Sequence, residues 1–419
     1  MKKFYYLSLG CKVNSYESNA LKEELIKEGY TYSEVDPDVI FINTCSVTAT
    51  ADQKSRQHIR KLIKAYPNAI SVVMGCYSQG HHKFIFDEIK PNIVVGTSNR
   101  DKIPSLIKEF EKNHQNIDLT EDSPRKFNYE ELGVSKYADM ARAYLKIEDG
   151  CDNFCSYCLI PYLRGKMRSR PFKEILEEAI ALVEHGYKEI VLTGIHIGGY
   201  GKDLEGNINF SSLVKALLGI PNLYRLRISS LEASEIDDEL IELINTRDNL
   251  AKHFHIPLQS GSDTVLKRMN RKYDTQTFLE KLTKIREVCP NVTFTTDVIV
   301  GFPGESEEEF LETFEFIQKC GFNMLHVFPF SSREGTVAAR LPNHIPPHIK
   351  KERTLRLIEL SNSLWNKYTS QYDGKEVEVL VEQYNKEKGI SIGHTSNYLE
   401  VSIPTEYQEG EIVKTIYKK

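Results

Sequence analysis

Three cysteines within one short run give the sharpest chemical signal in the sequence. Gly150-Cys-Asp-Asn-Phe-Cys-Ser-Tyr-Cys158 places Cys151, Cys155 and Cys158 directly after an apolar stretch that predicts a strand. Three thiolates on a tight loop can hold three irons of a [4Fe–4S] cube and leave the fourth iron open. S-adenosylmethionine can chelate that iron, receive an electron and yield a 5′-deoxyadenosyl radical. Structural zinc is the alternative, but it prefers four ligands, and no fourth cysteine or histidine lies near this run.

A second set of cysteines, Cys11, Cys45 and Cys76, is spread along the first part of the chain. Each follows an apolar run that predicts a strand. The carboxyl ends of parallel strands share one edge of a sheet, where open α/β sheets bind ligands, so the three should converge. Buried cysteines acting as small apolar side chains are the alternative reading. Three at successive strand ends favour a second three-cysteine cluster, also with an open iron. The remaining two, Cys289 and Cys320, are interpreted as packing residues.

The elements that position the second set occupy residues 1–115. Strands are predicted at Phe4 to Leu9, Val39 to Ile42, Ser71 to Met74 and Ile93 to Val95, with amphipathic helical patterns between them. This alternation predicts a parallel sheet covered by helices. Residues 116–141 are polar and weakly periodic, and we interpret them as a linker.

Residues 142–372 carry six further predicted strands, which begin near Ala143, Glu189, Tyr224, His253, Val292 and Met324. Six β/α units predict a partial (β/α)6 barrel, since eight would close it. Barrel enzymes gather their chemistry at the carboxyl ends of strands. The polar and glycine residues there are our predicted cofactor-binding residues: Thr193, Gly194, Ser229, Glu232, Gln259 and Gly301. Residues 373–419 read as short strands around glycines and predict a small all-β domain.

The totals describe a chain without an obvious nucleic-acid signature. Its net charge is −5, with 40% hydrophobic and 27% charged residues among 419. Contact with RNA would therefore be local, and the basic residues after the cysteine run could hold phosphates: Arg164, Lys166, Arg168 and Arg170. We expect no membrane segment and a cytoplasmic location, because no long apolar run or signal peptide is present.

Taken together, the motifs resemble the radical-SAM methylthiotransferase family along essentially the whole chain. They are Leu9-Gly-Cys11, Asn43-Thr-Cys45, Gly75-Cys76, the run from Gly150 to Arg170, and Phe330-Ser-Ser-Arg-Glu-Gly-Thr336. The resemblance implies a flavodoxin-like first domain, a radical-SAM partial barrel and a TRAM-like terminal barrel. Within the family, the residues after Cys11 and the run from Arg164 to Arg170 are most similar to the branch that acts on N6-threonylcarbamoyladenosine in tRNA.

The resemblance also implies a mechanism that uses two [4Fe–4S] clusters and two molecules of S-adenosylmethionine. One would methylate a sulfur held at the Cys11, Cys45 and Cys76 cluster. The other would yield the radical that removes hydrogen from C2 of the adenine beside the anticodon, which then takes the methylthio group. A low-potential electron donor is a further expected partner, and the sequence does not identify the sulfur source.

Three other functions remain open from the sequence. A methylthiotransferase of this family could act on isopentenyladenosine in tRNA or on a ribosomal-protein aspartate. The chain could also be a non-catalytic iron–sulfur or zinc protein that binds RNA or passes electrons. The count of three cysteines at each site argues against the last, since electron carriers usually give each cluster four protein ligands.

Overall fold

The computed structural model describes residues 2–124, 127–133 and 141–419. Residues 125–126 and 134–140, which fall within the predicted linker, lie outside the described residues. No helix in the described ranges is long and apolar enough to cross a membrane. The limits of the three domains remain a prediction from the sequence.

The first sheet has six parallel strands in the order β2-β1-β3-β4-β5-β6. This is the flavodoxin-like order with one strand added. Its strands are β1 (Lys3–Ser8), β2 (Thr31–Tyr32), β3 (Val39–Thr44), β4 (Ile70–Gly75), β5 (Ile93–Val94) and β6 (Ile117–Asp118). The short strands β2 and β6 were not predicted, and β6 arises from residues assigned to the linker.

Helices cover both faces of this sheet. They are α1 (Lys12–Lys27), α2 (Ala49–Ala65), α3 (Cys76–Phe84), which continues into a π-helical turn at Ile85–Ile89, and α4 (Ile103–Asn113) after a short 3-10 turn at Arg100–Lys102. Successive side chains of a strand point to opposite faces, so Val39 and Phe41 of β3 enter one apolar core and Ile40 and Ile42 enter the other.

Two three-stranded parallel sheets form the wall of a partial barrel, as predicted. The first contains β7 (Arg142–Lys146), β10 (Glu189–Thr193) and β11 (Arg225–Ile228), and the second contains β12 (His253–His255), β13 (Thr293–Val300) and β14 (Met324–Pro329). Isolated bridges from Leu226 to Leu250 and from Ser230 to His255 join the two sheets. Between β7 and β10 lies a two-stranded hairpin of β8 (Glu148–Asp149) and β9 (Arg168–Ser169).

Helices surround this wall on the outside. They are α5 (Ile160–Leu163), α6 (Phe172–Glu184), α7 (Phe210–Leu218), α8 (Asp238–Thr246), α9 (Asp263–Arg268), α10 (Thr275–Val288), α11 (Glu307–Cys320) and α12 (Pro347–Ser370). Short 3-10 turns occur at Ile197–Gly199, Ala233–Glu235 and Ala338–Arg340. Helix α1 of the first domain packs against β7, and its Tyr16 and Ala20 join the apolar core of the barrel.

The chain ends in a four-stranded antiparallel sheet in the order β17-β16-β15-β18. Its strands are β15 (Glu376–Asn385), β16 (Ile390–His394), β17 (Glu400–Ile403) and β18 (Ile412–Ile416). The loop between β16 and β17 is tied to the barrel because Arg227 donates hydrogen bonds to the carbonyls of Thr395 and Ser396 at 3.1 and 3.2 Å. This small domain therefore closes one end of the barrel.

Candidate functional site

Cys11, Cys45 and Cys76 follow β1, β3 and β4, at one edge of the first sheet. Asn14 holds two of these strand ends together, because its side-chain amide donates to the carbonyls of Leu9 and Thr44 at 2.7 and 3.0 Å. The sequence prediction of convergence rested on topology alone, and this amide contact is the local device that achieves it.

Two glycines let the backbone turn sharply into these cysteines. Gly10 and Gly75 both have a φ of +101°, a conformation that L side chains rarely adopt. A Cβ atom on Gly10 would lie 2.9 Å from the Sγ atom of Cys45, and one on Gly75 would lie 2.8 Å from the backbone nitrogen of Thr44. Only glycine therefore fits before Cys11 and Cys76.

Replacing Gly75 by alanine is expected to remove the cluster of the first domain. The added Cβ meets backbone of β3, which cannot yield as a flexible side chain could, so Cys76 must shift. Iron content after anaerobic reconstitution should fall from about eight to about four atoms per chain. Gly29→Ala is a control, because Gly29 also has a positive φ, of +86°, but a Cβ there meets nothing within 4 Å. Full iron content in Gly75→Ala would contradict this role for the glycine.

An arginine of the barrel contacts this first triad. The Nε atom of Arg164 lies 3.3 Å from the Sγ atom of Cys76, and its Nη2 atom donates to Asn14 at 3.0 Å. Burial raises the pKa of Cys76 to about 11, and the Arg164 guanidinium acts in the opposite direction. Because metal ligation requires the thiolate, Arg164 favours the ligating form of this cysteine.

The second triad lies on the loop that follows β8. The Cys151 amide donates to the carbonyl of Gly165 at 3.1 Å, and the Ser156 amide donates to Met269 at 2.9 Å, which fixes both ends of the loop. Arg271 donates to the Sγ atom of Cys155 at 3.2 Å, and the Ile160 amide donates to that of Cys158 at 3.4 Å.

The environment of these sulfurs pairs burial with hydrogen-bond donors. Burial raises the pKa of Cys158 to about 12 and also raises that of Cys155, while the Ile160 amide and Arg271 oppose it. Arg271 is itself paired with Glu232 at 2.9 Å and stacked over Tyr273. The donors therefore point at the sulfurs from fixed positions, as expected of ligands to a cluster.

The spacing of the sulfurs does not fit a single metal ion. In the described ranges, the one group of three potential ligands with atoms all within 4.8 Å of one another is His255, Asp297 and His326. A zinc ion with bonds of about 2.3 Å would bring thiolate sulfurs to about 3.8 Å from each other. Neither cysteine triad is so compact, and the donor sets fit multi-iron clusters better than zinc.

The residues predicted to bind a cofactor differ in position. Gln259 lines a cavity beside the second triad, and Ser229 lines a separate cavity. Glu232 pairs with Arg271 next to Cys155. Thr193 and Gly194 end β10 against the buried Glu148.

Gly301 lies at the end of β13 with its amide held by Glu305 at 2.7 Å. A Cβ atom on Gly301 would meet the side chain of Lys350 on α12.

Three cavities are lined by residues that neighbour the triads in the chain. The first, about 740 Å³, lies between α12 and the residues after Cys45, and it includes Thr48, Phe328 and Lys351. The second, about 220 Å³, shares Thr48 and Phe328 with the first and reaches Tyr157 between two cysteines of the second triad. The third, about 280 Å³, shares Asp297 and Phe328 with the second and reaches Lys12 beside Cys11. The three cavities therefore adjoin one another, and together they neighbour both cysteine loops.

Burial corrects the prediction that Arg164, Arg168 and Arg170 hold RNA phosphates. Their exposed fractions are 0%, 5% and 5%. The Nη1 atom of Arg168 donates to the carbonyl of Arg164 at 2.7 Å, and that of Arg170 donates to Glu178 at 2.6 Å. Lys166 alone of the four is exposed.

Arg164 belongs to a buried ion-pair network that joins the first domain, the predicted linker and the barrel. Four cations meet three carboxylates there: Arg100, Lys146, Arg164 and Arg168 with Glu17, Glu130 and Asp149. This network could not be predicted from the sequence, because its members are far apart in the chain and each is of a type usually found on the surface. Its role is to hold the two cysteine loops in place.

Two family models match parts of the chain, and curated proteins match nearly all of it. The Radical SAM superfamily matches residues 145–317, and the uncharacterized protein family UPF0004 matches residues 3–96. The chain is 45% identical to the threonylcarbamoyladenosine tRNA methylthiotransferase MtaB of Bacillus subtilis, over 97% of this chain and 92% of that protein. It is 40% identical to the tRNA-2-methylthio-N(6)-dimethylallyladenosine synthase of Thermoanaerobacter pseudethanolicus, over 92% and 83%.

Solved structures with little sequence identity share the fold. The radical S-adenosylmethionine methyltransferase TsrM from Kitasatospora setae superimposes with a TM-score of 0.60 at 13% identity, covering 78% of this chain and 75% of that one. The cobalamin-dependent S-adenosylmethionine radical enzyme OxsB gives 0.53 at 14% identity, covering 87% and 56%. Because the sequence identity is so low in both cases, this likeness shows the fold alone.

Proposed function

Because the chain belongs to the radical-SAM methylthiotransferase family, we propose that it transfers a methylthio group to C2 of N6-threonylcarbamoyladenosine beside the anticodon of tRNA. The observation that carries the proposal is the near-full-length similarity to the Bacillus subtilis enzyme, which spans both cysteine triads and the terminal domain. The adjoining cavities support it, since their lining residues Thr48, Tyr157 and Lys12 lie close in the chain to cysteines of both triads.

The cofactors in this proposal are two [4Fe–4S] clusters and S-adenosylmethionine. Cys11, Cys45 and Cys76 would hold one cluster, and Cys151, Cys155 and Cys158 would hold the other. Bound S-adenosylmethionine supplies the methyl group and, after reduction, the radical that removes a hydrogen too weakly acidic for acid–base chemistry. The proposed S-adenosylmethionine contacts are Thr193, Gly194, Ser229, Glu232, Gln259 and Gly301.

The protein's own residues place and shield the reactants. Arg271 donates a hydrogen bond to the sulfur of Cys155, and Arg164 donates one to the sulfur of Cys76. One cysteine of each triad is therefore oriented by an arginine. Asp52 accepts from Arg333 at 2.6 Å and from Ser46 at 2.7 Å, which draws the Cys45 loop onto the segment after β14. This contact forms part of the wall of the second cavity, which Arg333 lines.

The nucleic-acid partner is tRNA. The exposed Lys166, which follows the second cysteine loop, and the exposed Lys351, which lines the first cavity, would hold phosphates. An adenosine in a loop can be turned out of its stack at lower cost than a paired base. A low-potential reductant completes the reaction. A cytoplasmic location of the protein fits its proposed action on tRNA.

Mass spectrometry of tRNA nucleosides tests the proposal. Cells that lack the gene are expected to lose 2-methylthio-N6-threonylcarbamoyladenosine and to keep N6-threonylcarbamoyladenosine. Wild-type protein should restore the product, and the Cys155→Ala variant should not. Loss of the methylthio-isopentenyladenosine instead would assign the other tRNA substrate of the family, and an unchanged nucleoside profile would contradict both.

A further inference from the structure

The third cavity, of about 280 Å³, is built from three separate parts of the chain. Lys12 enters from the start of α1, Ser230 and His326 come from the barrel wall, and Tyr398 comes from the terminal domain. Tyr398 stacks on His253 at 4.5 Å between ring centroids and lies over Arg227 at 5.1 Å. Aromatic and cationic groups therefore form part of the wall of this cavity.

Lys12 is a cation without a partner in this cavity. It is exposed to the cavity, and no group in the described ranges accepts a hydrogen bond from it or forms an ion pair with it. The charged side chains around it include the cations Arg142 and Arg227. The Arg227 guanidinium is satisfied by Glu189 at 2.8 Å, and Arg142 by Glu382 at 2.8 Å.

The position of Lys12 in its helix is also unfavourable for stability. It is the first residue of α1, and the first turn of this helix contains no acidic residue. The positive end of the helix dipole disfavours a cation there. A lysine that is placed at a helix N-terminus, beside other cations and without an acceptor, is better explained by an anionic ligand than by folding.

Neutral hydrogen-bonding groups stand beside Lys12 in the same cavity. The hydroxyl of Ser230 and the ring of His326 make no hydrogen bond within the described residues, and both are exposed to the cavity. His326 is close enough to His255 and Asp297 for a shared metal ion. The Asp297 carboxylate already lies against His255, with 3.3 Å between Oδ2 and Nε2, and the nearby ammonium disfavours a second cation.

The chemistry of the target nucleoside fits this arrangement. C2 and the N6 substituent of adenine both lie on the Watson–Crick edge of the base. An adenine with C2 directed at the Cys11, Cys45 and Cys76 triad therefore extends its N6 substituent along the same wall. Lys12 follows Cys11 directly in the chain, which places its ammonium one long side chain away from that triad.

We propose that the third cavity is the subsite for the N6 substituent and that Lys12 pairs with the carboxylate of its threonyl group. Ser230 and His326 face the hydroxyl and carbamoyl groups of the same substituent. An isopentenyl group carries no charge and would leave the ammonium unpaired, so Lys12 selects the anionic substrate. This assignment rests on the proposed function and names the residue that sets its specificity.

The test compares two anticodon stem–loops that differ only at the target base, one with N6-threonylcarbamoyladenosine and one with adenosine. Their affinities for the reconstituted protein are measured beside the affinity for S-adenosylmethionine. In Lys12→Met, the affinity for the modified loop should fall about tenfold or more, as expected for loss of a charge-assisted contact. The affinity for the adenosine loop should stay the same, and Lys12→Arg should retain part of the preference.

Lys351→Met is the matched control, because it removes an exposed lysine from the first cavity and should affect both stem–loops equally. An unchanged preference in Lys12→Met would overturn the assignment. A weaker binding of S-adenosylmethionine with an unchanged preference would also overturn it, since the carboxylate would then belong to the cofactor. If the wild-type protein shows no preference for the modified loop and forms no methylthio product on it, the proposed function fails first, independently of Lys12.

Discussion

Cys155→Ala is expected to abolish reductive cleavage of S-adenosylmethionine, whereas Cys45→Ala is expected to retain part of it and to form no methylthio product. The two cysteines belong to different triads, and only the loop of Cys151, Cys155 and Cys158 lies in the barrel with the proposed S-adenosylmethionine contacts. The measurement is the yield of 5′-deoxyadenosine and of modified nucleoside after reduction with dithionite. Each variant should keep about four of about eight iron atoms.

Cys289→Ala is the matched control for thiol removal, because Cys289 ends α10 and belongs to neither triad. It should keep full iron content and both activities. Equal loss of cleavage in Cys45→Ala and Cys155→Ala would contradict the division of roles between the two triads.

Arg164→Ala is expected to lower the melting temperature of the protein by roughly 5 °C or more. The change leaves Glu17 and Asp149 buried with fewer cations, and removing one partner from a buried ion pair typically costs about 3–5 kcal/mol. It also removes the N–H donor to Cys76, so the reduction potential of the first cluster should shift toward more negative values. Circular dichroism and a potentiometric EPR titration measure the two effects.

Two variants separate the contributions of charge and geometry. Arg164→Lys keeps the charge but cannot reach Cys76, Glu17 and Asn14 together, so it should recover part of the stability and little of the potential. Lys166→Ala removes an exposed cation two residues away and should leave both unchanged. If Arg164→Ala unfolds at the wild-type temperature with an unchanged potential, the buried network does not position the two loops.

The order of strands and the positions of the cysteines could be predicted because both depend on local patterns. A short apolar run of β-branched and aromatic residues such as Val39 to Ile42 indicates a buried strand, and the residue after it falls at the sheet edge. The same reasoning located five strand ends of the barrel. Strands β2 and β6 escaped prediction because each has only two residues and one of them is polar, whereas β5, which is equally short, lies within the apolar run Ile93 to Val95.

Side-chain partners could not be predicted, because they depend on contacts between distant segments. Arg164 and Arg170 belong to a run of basic residues typical of phosphate binding. In the structure, however, Arg164 is buried against Glu17 and Arg170 against Glu178, and both glutamates lie outside that run. Lys12 shows the opposite case, since its neighbours in sequence suggest only a helix start. Only the structure shows that Lys12 has no ion-pair partner among the described residues of the barrel and the terminal domain that surround it.

The relative position of the two triads is the claim on which the mechanism depends. EPR spectra of the protein with both clusters reduced measure it, because two paramagnetic clusters that share a cavity broaden and split each other's signals. We expect the wild-type spectrum to differ from the sum of the Cys45→Ala and Cys155→Ala spectra, each of which shows one cluster. A wild-type spectrum equal to that sum would place the clusters too far apart to act on one base and would contradict the mechanism.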